Sequence, residues 1–166
     1  MRSYFYALLT APGVVAHELA HAFFCWLAQV KIYRIKLFQF GNPAGYVEHQ
    51  EPRKFYQHAF ISFGPLLVNS FAAMILFAGI ERPWLGNANA IFVWLALALG
   101  LNAIPSSGDA AALWQQSLRS VWRNPFVLLG WPLVGLLYVL NFLKRWHVDF
   151  LYTTFLFWLA VFVLKE

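Results

Sequence analysis

His17-Glu18-Leu19-Ala20-His21 is the segment of this chain best equipped for chemistry. On a helix, residues i and i+4 stand one above the other on one face. Both imidazoles then reach a single metal ion, and the Glu between them reaches water at that metal. The pattern predicts a metal site in which both imidazoles share one zinc ion. The opposing account is a chance match, two satisfied core histidines on a helix face. The setting favours chemistry: the motif sits well inside an apolar stretch, where ionisable groups are costly and usually functional.

The elements that must position this motif follow from composition. The chain has 166 residues, room for one domain. It is 61% hydrophobic, 19% aromatic and only 11% charged, with a mean hydropathy of +0.58. A soluble domain is nearer a quarter charged, so the reading turns away from a cytosolic globular protein, a disordered chain or a disulfide scaffold. Cys25 is the sole cysteine, which leaves His and carboxylates as the main metal ligands. The net charge of +5 lies in short basic clusters between apolar stretches. That placement reads as the flanks of membrane spans and not as a nucleic-acid surface.

A span needs roughly 20 mostly apolar residues to cross about 30 Å of hydrocarbon. Five stretches approach this, at residues 4–29, 55–80, 88–113, 126–143 and 150–164. The predicted fold class is an all-α polytopic membrane protein of about five transmembrane helices. The first stretch reads as a retained span, since it is long for a secretory signal and carries His17, Glu18 and His21. Arg2, Arg82, Lys144 and Arg145 fall on one side; Lys31, Arg34, Lys36, Arg53, Lys54, Arg119, Arg123 and Lys165 fall on the other. The positive-inside rule puts the N-terminus outside and the segment between the first two spans in the cytoplasm. In that segment Arg34 and Lys36 alternate with Tyr33, Ile35 and Leu37, a Gly41-Asn42-Pro43-Ala44-Gly45 turn follows, and Tyr46 to His49 returns. This predicts a small membrane-associated β-hairpin. Without repeats or linkers, residues 1–166 read as a single membrane domain.

A catalytic zinc usually takes three protein ligands. Glu48, His49, Glu51, His58, Asp109 and His147 are the remaining candidates. His17 and His21 lie roughly 12 to 18 Å below the cytoplasmic side and Asp109 roughly 9 to 15 Å, at 1.5 Å per residue. The other candidates belong to surface segments, the interface or the far side. Asp109 is therefore the expected third ligand, with a helix N-cap after the Pro105-Ser106-Ser107-Gly108 break as its bland alternative; the two roles are compatible.

These residues resemble the site-2 proteases, a family of intramembrane zinc metalloproteases. The resemblance rests on His17 to His21 in one span, Gly64-Pro65 with Asn69 in the next, and Asn102-Ala103-Ile104-Pro105 followed by Asp109 in the third. It covers about residues 12–114; residues 1–114 read as the protease core and 115–166 as additional C-terminal spans. It implies that His17, His21 and Asp109 bind Zn2+, that Glu18 is the catalytic carboxylate, and that Asn69 faces the active site and meets substrate. The family usually has an Asp-Gly pair further beyond the Pro, whereas here Gly108 precedes Asp109 and Ala110 follows it. Taken alone, Gly64-Pro65 reads as a kink with close packing, and Asn69 as an interhelical hydrogen bond.

The expected function is hydrolysis of peptide bonds in membrane-embedded protein or peptide substrates, with Glu18 moving the proton. The hairpin edge is expected to hold the substrate extended by strand addition. The bilayer is the other partner. Two rivals are weighed: a non-catalytic zinc-binding membrane protein of the same fold, and a metal transporter. Glu18 opposes the first, since a structural site needs no base. Polar residues gathered at one depth oppose the second.

Overall fold

The apolar run at residues 4–29 folds as helix, but in two pieces. In the computed structural model, which describes residues 4–80, 88–122 and 125–163, α1 (Tyr4–Leu9) meets α2 (Ala11–Leu27) at Thr10. Pro12 sits in the first turn of α2, where no amide donor is needed. The helix ends in paired bonds, Gln29 N to Trp26 O and Val30 N to Cys25 O, with Gln29 in the left-handed region at φ 55°. Val30 packs on Cys25 and Ile61, so the chain leaves at a fixed angle. It enters the hairpin expected from the alternation: β1 (Ile32–Lys36) and β2 (Tyr46–His49) pair antiparallel, Arg34 opposite Glu48 and Ile35 opposite Val47. Two strands are marginal alone, and both of these lie against α2.

α3 (Phe55–Gly79) is continuous through Pro65 and about 37 Å long. It runs antiparallel to α2, placing Ile61 beside His21 and Asn69 beside Gly13.

The third expected span is interrupted. α4 (Asn89–Leu101) and α5 (Ser107–Val121) are separate helices, because Pro105 brings no amide donor and disfavours helical geometry at Ile104, after which Ser106 caps a new start. Both halves run along α3. Ala96 and Leu99 pack on Ala73 and Phe77, while Ala110 and Leu113 pack with Phe55, Ala59 and Phe63.

The fourth and fifth expected spans are halves of one rod. α6 (Trp131–Leu143) joins α5 through Val134 and Leu137, whereas α7 (Val148–Trp158), with the π-helical turn Leu159–Val163, joins α4 and α3 through Leu156 and Ala160. They meet in the 3-10 turn Lys144–Trp146 and at His147, whose φ is 57°. At 13 and 11 residues, these helices are about 20 and 17 Å long. Neither half covers about 30 Å alone. The described residues therefore form four rods where hydropathy suggests five spans. Arg2, Arg82, Arg123, Lys165 and the last residue of the fifth stretch lie outside the described residues.

Among the described helices α3 alone is long and apolar enough to cross a membrane; α4, α6 and Val148–Phe162 are shorter apolar helices. Many of the helix crossings are made of small residues. A Cβ on Gly13 would fall 1.8 Å from Ala98 O, one on Gly64 2.2 Å from the Phe24 ring, and one on Gly100 2.6 Å from Thr153. The outer surface carries large apolar side chains, with Trp26, Ile75 and Phe142 each about 70% exposed.

Candidate metal centre

α2 presents His17 and His21 on the face toward α3 and the 102–106 break, and both are buried. Each ring is held from behind. His17 Nδ1 donates to Asn102 O at 2.7 Å, and His21 Nδ1 donates to Ile61 O at 2.9 Å. A carbonyl only accepts, so the proton of each neutral ring is on Nδ1 and Nε2 carries the lone pair. The two Nε2 atoms face the Asp109 carboxylate, His21 Nε2 3.5 Å from Oδ1 and His17 Nε2 4.0 Å from Oδ2. One ligand atom from each of the three residues lies within 4.8 Å of the others.

Three acceptors that converge in this way repel one another unless positive charge lies between them. A tetrahedral zinc with ligands at about 2.0–2.1 Å sets neighbouring ligand atoms about 3.3 Å apart, close to the shorter of these separations. The carbonyl support of each His Nδ1 is also what metal-ligating histidines typically have. The donor set thus fits a divalent ion with one nitrogen from each His and one carboxylate oxygen.

Asp109 is ligand-competent and capping at once. Ser106 is the N-cap of α5 and Asp109 its third residue, so the expected N-cap role moves three residues back. Asp109 N donates to Ser106 Oγ at 3.2 Å, and Ser106 N and Oγ both donate to Asp109 Oδ2, at 2.8 and 2.7 Å. Oδ1, left out of the cap, faces His21. The carboxylate also sits at the positive end of α5.

Glu18 is buried, and its carboxylate lies under the hairpin turn. A Cβ on Gly45 would stand 2.7 Å from Glu18 Cγ and 3.1 Å from Oε1. The turn therefore packs on Glu18 through a residue with no side chain. Asn69, fully buried, does not reach the three ligands. Its Nδ2 donates to Gly13 O and to Asn102 O, both at 3.1 Å, and its Oδ1 has no partner among the described residues. It acts on the site through Asn102 O, the same carbonyl that holds His17.

The other candidates stand elsewhere. Glu48 pairs in register with Arg34, His49 Nδ1 donates to Gln50 O, and Glu51 bonds Arg119 at 2.7 Å. His58 is buried near the start of α3, and His147 joins the halves of the last rod. Among the described residues, His17, His21 and Asp109 form the one group with metal-binding spacing. Sequence reasoning missed Gly45 and Ser106. The Ser-x-x-Asp spacing was a readable capping signal for Ser106; Gly45 had none, because its contact with Glu18 is long-range.

Comparison of the chain with family models, with curated proteins and with solved structures yields no match. The functional reading rests on the residues and their geometry.

Proposed function

We propose that this protein is a multi-pass membrane zinc metalloprotease of the site-2 protease type. The observation that carries the reading is the convergence of His17 Nε2, His21 Nε2 and the Asp109 carboxylate, with Glu18 on the same helix between the two histidines. A membrane setting is supported by the inverted packing, small and polar residues at crossings and large apolar ones outside. It is supported also by the basic residues Lys31, Arg34, Lys36, Arg53, Lys54 and Arg119, which flank the end where α2 stops and α3 begins. By the positive-inside rule that end is cytoplasmic and the N-terminus outside, with the site nearer the cytoplasm.

His17, His21 and Asp109 hold the ion. When bound, it supplies Lewis acidity, which polarises a scissile carbonyl and makes water acidic near neutral pH. Glu18 takes the proton from the attacking water and delivers it to the leaving amine. Burial of Glu18 keeps bulk water from competing for that proton. β1 and β2 supply edges that hold an unwound substrate segment by backbone pairing.

The test is Glu18→Gln in detergent-solubilised protein incubated with transmembrane substrates. The amide keeps the shape and loses the base, so cleavage falls at least 100-fold, in line with general-base contributions of about 10²–10⁴, while metal content stays at that of the unaltered protein. Undiminished cleavage by this variant refutes the general-base role. A protein that binds the metal and cleaves no membrane substrate with Glu18 intact is the non-catalytic rival.

A further inference from the structure

The 102–106 turn carries much of the site. Asn102 O holds His17, Ser106 caps Asp109, and Pro105 makes the break between them. An interrupted helix leaves carbonyls without amide partners, and buried carbonyls of that kind need a donor from elsewhere. Lys144 supplies it. Its Nζ donates to Ile104 O at 2.8 Å and to Pro105 O at 3.0 Å. Lys144 lies where the last rod is itself interrupted, between α6 and α7. The two broken rods thus have their breaks at one level, and a cation from one fills the carbonyls of the other.

We propose that Lys144 is a positioning residue for the metal centre: by clamping Ile104 O and Pro105 O it holds the turn that sets Asp109 and the His17-orienting carbonyl of Asn102 at metal-binding separation. The inference rests on the metal-site reading above and gives the C-terminal rod a role in it. Lys144 hydrogen-bonds neither the three ligands nor Glu18 in these contacts; its hold on the site runs through the turn, and its charge also bears on His17.

The experiment is metal affinity of the purified full chain in detergent, with Zn2+ by competition against a chelator and Co2+ by its ligand-field spectrum. Lys144→Met removes both bonds while placing an apolar side chain in an apolar bundle. Loss of a group that hydrogen-bonds a ligand directly typically costs 10- to 100-fold in metal affinity; Lys144 stands one step further out, so a loss of about 10-fold is expected, with a shifted Co2+ spectrum. Lys144→Arg, which keeps the charge and the donors, restores most of both. Asn141→Leu removes the Asn141 Nδ2 bond to Leu137 O one turn earlier in the same rod and leaves affinity and spectrum unchanged.

Wild-type affinity and spectrum in Lys144→Met overturn the proposal. So does a lower unfolding temperature without metal and unchanged affinity of the folded fraction, which makes Lys144 a packing residue only. If Lys144→Met does not give folded protein, Lys144→Gln against Lys144→Arg decides. Gln is too short to reach both carbonyls, so equal affinities overturn the clamp. His17→Ala and Asp109→Ala run in parallel. If they also keep the metal, the metal site itself fails; if they lose it and Lys144→Met does not, only the clamp fails.

Discussion

Gly45→Ala tests whether the hairpin turn sets the position of Glu18, the proposed base. A Cβ at Gly45 would lie 2.7 Å from Glu18 Cγ and 2.9 Å from Leu37 O, short of an ordinary 3.4 Å contact by about 0.7 and 0.5 Å. Leu37 O is backbone of the same turn and yields little, so Glu18 takes most of the displacement. A misplacement of about 1 Å in a catalytic group costs on the order of 100-fold. A shift of about 0.7 Å therefore lowers kcat roughly 10- to 100-fold, which is about 1.4 to 2.7 kcal/mol of activation free energy. Zn2+ content is unchanged, because His17, His21 and Asp109 are not touched. Neither Gly45 nor Gly41 has a φ in the left-handed region, so alanine is conformationally allowed at both. At Gly41 the nearest atom to a new Cβ is Pro43 O at 4.0 Å, and Gly41→Ala is the control, with full activity. The assay is turnover of a transmembrane substrate beside metal analysis and thermal unfolding of each variant. Wild-type kcat in folded, metal-loaded Gly45→Ala refutes the contact as a determinant of catalysis.

Three further outcomes are expected. Asp109→Ala releases most of the metal while His49→Ala and His58→Ala retain it, read by metal analysis after gel filtration; release by either His variant reassigns the third ligand. Gly13→Ala drives a Cβ to 1.8 Å from Ala98 O and costs about 3 kcal/mol or more in thermal unfolding, since backbone must move. Gly135→Ala, with nothing within 4 Å, stabilises by about 0.5–1 kcal/mol through helix propensity. Ile35→Pro removes a ladder donor from β1 and lowers cleavage with metal content unchanged; undiminished cleavage shows that substrate does not depend on pairing with this hairpin.

Local pattern in the sequence was enough for the helical histidine pair, because i and i+4 share a face in any helix and His17, Glu18 and His21 lie within one turn. It was enough for the hairpin too, since alternation at 32–37 and a Gly/Pro turn are short-range signals, and β1 and β2 lie where they indicate. Depth counting along two helices singled out Asp109 from six candidates, and the structure brings its carboxylate to the two histidines. Hydropathy could not tell two short spans from one interrupted rod, because it measures apolar length and not which neighbour each half packs on. Only the packing of α6 on α5 and of α7 on α4 made that distinction. The tertiary structure alone decided how the site is held. The carbonyls of Ile61 and Asn102 fix the two imidazoles, Gly45 packs on Glu18, and Lys144 reaches the turn before Asp109. The physical reason is common to all of these: backbone carbonyls and close approaches at glycine carry no side-chain signature, and partners 27 to 85 residues apart meet only when the rods are assembled.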